Sequence, residues 1–363
     1  MAIGEERQWT SCPSRFVIFL LTRLRPISHR SEIQRGIAGN AKPCRDQKKS
    51  FSPLTFFPSG INFLSPANRP DANLARKLIH MKRIRITHQT EYQYHTPVAF
   101  GPHRALMRPR EGHYVRIASG RVEIEPAAEV RWLRDIDDNS VAIVTFSQPG
   151  QKLRIFSEVD VDLRDEQPVE CLIDPGARSY PFQYAANEQV DLVSYRLPSY
   201  PHDGPALQNW LLDLYRPGQL IDTFDLLNRL NTRIHDCLRY GAHDHPGVQL
   251  PCETLTKGSG SCRDYAVLMM EAARHWGFGA RFVSGYIQMA EGQHGSTHAW
   301  TEIYLPGAGW HGFDPTNNKR AGTEHIPVAV AREQEKTMPL TGSWDGPANA
   351  FDRMAVSVQV VPV

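Results

Sequence analysis

Long hydrophobic runs are the first thing missing. The apolar stretch near the N-terminus, Phe16 to Leu21, falls short of the roughly 7 to 15 residues of a secretory h-region and the roughly 20 of a membrane span. Arg23, Leu24 and Arg25 follow it, so no small-residue cleavage site is evident. Regular cysteine spacing is also missing: the six cysteines at 12, 44, 171, 237, 252 and 262 make no dense framework, and a chain of 363 residues can bury a core without staples. A reducing, cytoplasmic location is therefore expected. Charge of one sign is lacking too, with 41 Lys+Arg against 39 Asp+Glu, which argues against a dedicated nucleic-acid or anionic-membrane binder. Neither Cys-x-x-Cys nor His-Glu-x-x-His occurs, so neither a metal nor a cofactor is expected. The looser alternatives for zinc are His294 with His298, His243-Asp244-His245, and Cys237 and Cys252 with Cys262.

What is there fits a soluble globular protein, with 41% hydrophobic and 22% charged residues. At roughly 100 to 200 residues per domain, the length predicts two domains, or three if small ones occur. Residues 1–80 hold 13 Lys/Arg against 5 Asp/Glu, and proline or glycine interrupts residues 51–70 repeatedly. They read as an unordered N-terminal extension, with a transit peptide as the compositional alternative. From Ile84 the pattern alternates strictly: Ile84, Ile86, His88, Thr90, Tyr92 and Tyr94 on one side, Arg85, Thr87, Gln89, Glu91 and Gln93 on the other. That predicts a half-buried strand, and further β-rich runs to Leu163 predict an antiparallel β domain over residues 81–165. Residues 166–204, rich in Pro and Tyr, read as a linker draped over the surface.

A second domain is expected over residues 205–363. Leu207, Trp210, Leu211 and Leu214 have helical spacing, a second helix starts after Asp222 as N-cap, and a third starts at Cys262 and stops at Gly277. Strands follow at 281–288, 297–305, 310–313 and 354–360. Helices followed by strands in this order predict an α+β fold with an antiparallel sheet.

Cys262 begins its helix behind Gly258-Ser259-Gly260-Ser261, where free backbone N–H groups and the positive dipole end favour a thiolate and the glycines admit a substrate backbone. The other cysteines read as structural. Pro306-Gly307-Ala308-Gly309 predicts a hairpin turn between two strands. In the register where paired residue numbers sum to 614, Trp300 faces Asp314. His298 is then a diagonal neighbour on the same face, about 7 to 8 Å away at Cα. The carboxylate would orient the imidazole, and the imidazole would serve the cysteine as base and later as acid. Arg263 and Asp264 read as helix-start charges, and Trp300 and Trp310 as core packing.

Four segments carry a resemblance. Gly258 to Ala266, Ala280 to Tyr286, Thr297-His298-Ala299-Trp300 and Gly309 to Thr316 look like the core of the transglutaminase-like superfamily, across roughly residues 205–320. Ile86 to Tyr94 and Leu106 to Arg110 resemble the β domain that precedes this core in bacterial members. The resemblance implies a papain-like core with Cys262 as nucleophile, His298 as general base and acid, and Asp314 as orienting carboxylate. The backbone N–H of Cys262 would be the first oxyanion donor, with Tyr240 a candidate for the second. The expected function is cleavage of peptide or glutamine side-chain amides through a thioester. Transamidation is the alternative, since the triad is common to both, and a silent peptide-binding module is a third reading. The expected partner is a peptide or protein substrate, with no nucleic acid and no membrane.

Overall fold

The computed structural model describes residues 81–164, 172–241, 247–288 and 296–363. The reading of residues 1–80 lies outside the described residues.

The N-terminal part is built from β1 (Met81–Phe100), β2 (His103–Ala105), β3 (Val115–Glu125), β4 (Ala128–Arg134), β5 (Ser140–Phe146) and β6 (Gly150–Arg164). In β1 the predicted alternation holds at its start: Ile84, Ile86, His88 and Thr90 are buried, with Arg85, Thr87 and Gln89 only partly so. β6 pairs antiparallel with β1 on one edge and with β3 on the other. A second sheet is ordered β16 (Leu340–Thr341), β2, β5, β4. Tyr94, Val98, Phe100, Leu153 and Ile155 of the first sheet share one apolar cluster with Ala142 and Leu340 of the second.

The other edge of β1 is taken by β18 (Phe351–Pro362), in a ladder from Ile84↔Pro362 to Tyr94↔Phe351. The sequence reading ran the core continuously to residue 363. Instead the chain's last strand returns to the first sheet, because β1 offers two edges and β6 occupies only one. Local periodicity identifies a strand but not the edge it joins.

The described part of the segment expected as a linker, from residue 172, likewise packs into the core. In its described part are the short helices α1 (Ala186–Asp191) and α2 (Val193–Arg196). Ile173, Ala177, Tyr184 and Leu192 are buried, and Tyr180, Phe182 and Tyr200 pack on the core cluster.

The core proper carries α3 (Gly204–Leu211), α4 (Thr223–Cys237), α5 (Pro251–Lys257) and α6 (Cys262–His275). Asp222 caps α4 by accepting the Asp225 N–H at 2.9 Å, which satisfies one of the helix's free donors. Leu226, Leu227, Leu230 and Ile234 form its buried stripe. Gly277, at φ 86°, supplies the left-handed turn just beyond α6.

A five-stranded antiparallel sheet completes the core. Its order is β14 (Lys319–Arg320), β13 (Gly309–Asp314), β12 (Ser296–Leu305), β11 (Ala280–Ile287), β15 (His325–Ala331). α6 lies on β12: Ala299, Ile303, Leu305 and Phe313 share the cluster of Ala266, Met269, Met270 and Ala273. The Thr301 hydroxyl donates to the Ala266 carbonyl at 2.6 Å, satisfying a buried polar group at that contact. A further cluster joins the two halves, with Ile84, Ile86, Val159, Val161 and Val360 against Tyr286, Ile326 and Val328. At about 1.5–3 kcal/mol per buried aliphatic side chain, this seam fixes the β domain against the core sheet. Among the described residues no helix is long and apolar enough to cross a membrane.

Candidate active site

The loop before α6 is built to present Cys262. Gly258 ends α5 in a left-handed conformation, φ 60°. β10 (Ser259–Gly260) then pairs in parallel with β9 (Arg239–Tyr240), which sets Tyr240 opposite Gly260. Asp264, fully buried at the third position of α6, reaches back over this turn. Its Oδ2 accepts the Ser261 N–H at 2.7 Å and the Ser261 hydroxyl at 2.8 Å, and its Oδ1 accepts the Gln249 N–H at 2.7 Å. A Cβ on Gly260 would lie 2.8 Å from the Asp264 Cβ, so the close approach requires glycine there. Asp264 does have the helix-start placement read from the sequence, and it also braces the loop that carries the sulfur.

The hairpin has the expected register. The ladder runs from Leu305↔Gly309 to Thr301↔Phe313, each pair summing to 614, and Trp300 and Asp314 are the residues next beyond its end. Across it His298 Nε2 lies 2.8 Å from Asp314 Oδ2, with the two side chains 7% and 0% exposed. Trp300 is buried beside Val283 and Val330, and its ring stacks on His298 at 6.2 Å between centroids. Trp310 holds the Arg281 guanidinium over its ring at 4.1 Å.

The electrostatics are those of a coupled pair. Burial works against a charged His298, but hydrogen bonds with Asp314 and Cys262 outweigh it and push its pKa up to about 9. Burial likewise opposes ionisation of Asp314, and hydrogen bonds from His298, His325 and Asn317 overcome it, holding the carboxyl well below the usual range. With Nε2 committed to Asp314, Nδ1 is the nitrogen left to the sulfur.

Two members of this network escaped the sequence reading. Asn317 donates its side-chain N–H to Asp314 Oδ2 at 2.7 Å and its backbone N–H to Oδ1 at 3.2 Å. The signal was available, since an Asn three residues after an Asp-Pro in a turn is placed to bond back. His325 Nε2 lies 2.9 Å from the same Oδ2. Nothing local marks it, because β15 reaches the site only through its pairing with β11.

The ligand-type atoms of His298, Asp314 and His325 lie within 4.8 Å of one another. The contacts of the two imidazoles with the carboxylate, at 2.8 and 2.9 Å, are hydrogen bonds. Cys237 and Cys252 do not join Cys262 in a ligand cluster among the described residues. His243, Asp244, His245 and His294 lie outside the described residues, as do Cys12, Cys44 and Cys171.

Cys262 and His298 open onto a cavity of about 410 Å³. The β domain and its neighbouring segment contribute His88, Leu106, Met338 and Pro339, and the core contributes Phe282, Tyr286, Val328 and Tyr240. His88 Nδ1 and the Tyr286 hydroxyl are 2.8 Å apart. Burial lowers the His88 pKa to about 4, so this ring is neutral at pH 7.

Comparison with known proteins agrees with this architecture. Residues 218–315 match the model of the transglutaminase-like superfamily, and residues 84–162 match that of the bacterial transglutaminase-like N-terminal region. The chain thus carries a region matching the transglutaminase-like core behind one matching the N-terminal region of bacterial transglutaminase-like proteins. An uncharacterized protein of Mycobacterium tuberculosis is 27% identical over 307 residues, 80% of this chain and 96% of its own length. One of Mycobacterium leprae is 26% identical over 293 residues, 73% and 94% respectively. The fold is shared with a crystal structure from Cytophaga hutchinsonii described as a "putative cysteine protease". The TM-score is 0.59 and the identity 17%, over 77% of this chain and 91% of that one.

Proposed function

We propose that this protein is a cysteine-dependent amide hydrolase with Cys262, His298 and Asp314 as its triad. The observation that carries the reading is the buried His298–Asp314 contact at 2.8 Å, with the other face of the same imidazole hydrogen-bonded to a partly exposed cysteine at a helix N-terminus. The Cys262 sulfur, its proton already resting on His298 Nδ1, attacks the carbonyl carbon, and the oxyanion is met by the Cys262 N–H, with Tyr240 as the candidate second group. The C–N bond then breaks, His298 protonates the leaving amine, and a thioester remains. Water, deprotonated by His298, attacks the thioester, the C–S bond breaks, and the acid leaves with the thiol restored.

The acyl portion is an uncharged group. The buried part of the lining includes Leu106, Phe282, Val328 and the neutral His88–Tyr286 pair, with Arg263 and Glu335 at less buried positions, so an uncharged side chain is the one that loses no hydration against those buried groups. Hydrolysis is favoured over transfer because water is present at about 55 M, and an amine prevails only where a site shields the thioester and binds that amine. The test is mass spectrometry of products from peptide amides bearing Leu, Gln, Glu or Lys on the acyl side, with and without millimolar lysine analogue. Free acid from the Leu and Gln substrates, abolished in Cys262→Ala, is expected. An amine adduct as the main product would make the protein a transamidase, and full turnover by Cys262→Ala would discard the triad.

A further inference from the structure

Asp314 is more heavily engaged than a His–Asp pair requires. Its Oδ2 receives His298 Nε2 at 2.8 Å, His325 Nε2 at 2.9 Å and Asn317 Nδ2 at 2.7 Å, and its Oδ1 receives the backbone N–H of Thr316 at 3.1 Å and of Asn317 at 3.2 Å. The tautomer of His325 is set from its far side. Its Nδ1 accepts the Gly322 N–H at 3.1 Å, so Nε2 carries the proton and donates it to the carboxylate. The ring is 1% exposed and meets Trp300 edge-on at 5.1 Å. His325 comes from β15, on the far side of the sheet order from β13, which carries Asp314.

We propose that His325 is a positioning residue, which holds Asp314 in the orientation His298 needs and takes up part of the carboxylate's negative charge. This rests on the triad reading above. The argument has two parts with different signs. Orientation comes from geometry: with three donors converging on Oδ2 and two backbone donors on Oδ1, the carboxylate cannot turn without leaving buried donors unpaired. Charge comes from competition, because each proton shared with His325 or Asn317 weakens the hold of Asp314 on a protonated His298. Removing the His325 donor should slow turnover through lost orientation, yet let His298 keep its proton to higher pH. A merely structural role would move stability and leave that titration where it was.

The groups facing His298 are Asp314 from β13, Cys262 from α6 and His325 from β15, with 6.0 Å between the two imidazole centroids. Behind His325 stands Glu324, 3.8 Å from its Nδ1 and itself paired with Lys319. Replacing His325 leaves Asp314 and Cys262 in the chain as the groups facing His298, while Glu324 loses His325 as a neighbour and keeps Lys319.

The experiment compares the full-length protein with His325→Leu, which removes the donor at similar bulk, and His325→Gln, whose amide N–H reaches where Nε2 stands. NMR titration of His298 and turnover of the acyl-Leu amide are measured on each. In His325→Leu the proton affinity of His298 should rise about threefold to tenfold, a shift of roughly half to one pH unit. Its kcat should fall at least about tenfold, as misorientation of a reacting group does. His325→Gln should restore most of both. An unmoved titration in a folded His325→Leu, or a His325→Gln no better than it, overturns the proposal. If His325→Leu does not fold, the imidazole ¹⁵N spectrum of the natural protein decides: an Nε2–H tautomer at His325 supports the assignment and an Nδ1–H tautomer overturns it. Failure of the triad reading is separately visible, as turnover that survives in Cys262→Ala.

Discussion

Replacing Asp264 by Ala probes how the nucleophile is held without touching it. The substitution removes the acceptor for the Ser261 N–H at 2.7 Å and the Gln249 N–H at 2.7 Å, at a residue that is fully buried. Each backbone donor left unpaired costs about 1–3 kcal/mol, so the two together amount to about 2–6 kcal/mol. For a chain of this size roughly 2 °C of melting temperature corresponds to each kcal/mol, so a fall of about 4–12 °C by circular dichroism is expected. Function should suffer beyond stability, because the freed loop no longer fixes the sulfur against His298, and a displacement of about 1 Å can cost about a hundredfold. Asp264→Asn keeps the shape but points an N–H₂ at one of the donors, and should fall between. An Asp264→Ala protein melting within about 2 °C of the parent would refute the bracing argument. One that melts low but turns over at the parent rate, measured well below its melting point, would refute the link between bracing and sulfur placement.

Three further outcomes follow from the geometry. His298 is held protonated above its ordinary value of 6.5, up to about 9, so its contribution to stability is fully present below 6.5 and lost as pH rises through about 9. Stability and turnover should both decline above about 9, and a rate profile still rising at pH 10 would contradict this. Iodoacetamide should label Cys262 ahead of Cys237 and Cys252, because burial raises the pKa of both of those thiols; equal rates by peptide mass spectrometry would count against it. Glu271→Ala should destabilise by about 3–5 kcal/mol. It strands the Arg274 guanidinium, paired at 2.7 Å with both side chains buried, and two backbone donors at Ser199 and Tyr200, and a urea midpoint near the parent's would refute it.

The residues of the site were legible where chemistry and local period coincide. Gly258 to Cys262 announces a turn running into a helix, and the parity of a hairpin closed at Pro306 to Gly309 suffices to bring His298 to Asp314. What could not be read depends on contacts between distant segments. The residues around 195–200 look like a linker, being rich in Pro and Tyr. They are fastened by Glu271 and by the Arg274 guanidinium, which donates to the Tyr195 carbonyl at 3.0 Å, and neither charge advertises burial in sequence. His325 is one of 15 histidines and acquires its place only when β15 pairs with β11. The final strand has clear alternation, but an alternating strand carries no label for the edge it will join.

That last point bears on how the two matched regions work together. β1 is held on one edge by β6 and on the other by β18, a strand that follows the whole core in the chain. The first sheet is thus completed by a strand that comes after the core in sequence. The buried face of the β domain does more than pack: His88 of β1 bonds the Tyr286 hydroxyl of β11, and Leu106 joins Phe282 and Val328 around the cavity that Cys262 opens onto. A charge introduced at Leu106, which is 1% exposed, would be taken out of water among apolar neighbours and would cost stability. A core lacking the first sheet would expose Tyr286, Ile326 and Val328, an apolar face now covered by Ile84, Ile86 and Val161. On the proposed function, side chains that line the acyl site also hold the seam together, so replacing Leu106 or His88 to alter that site means repacking the seam as well.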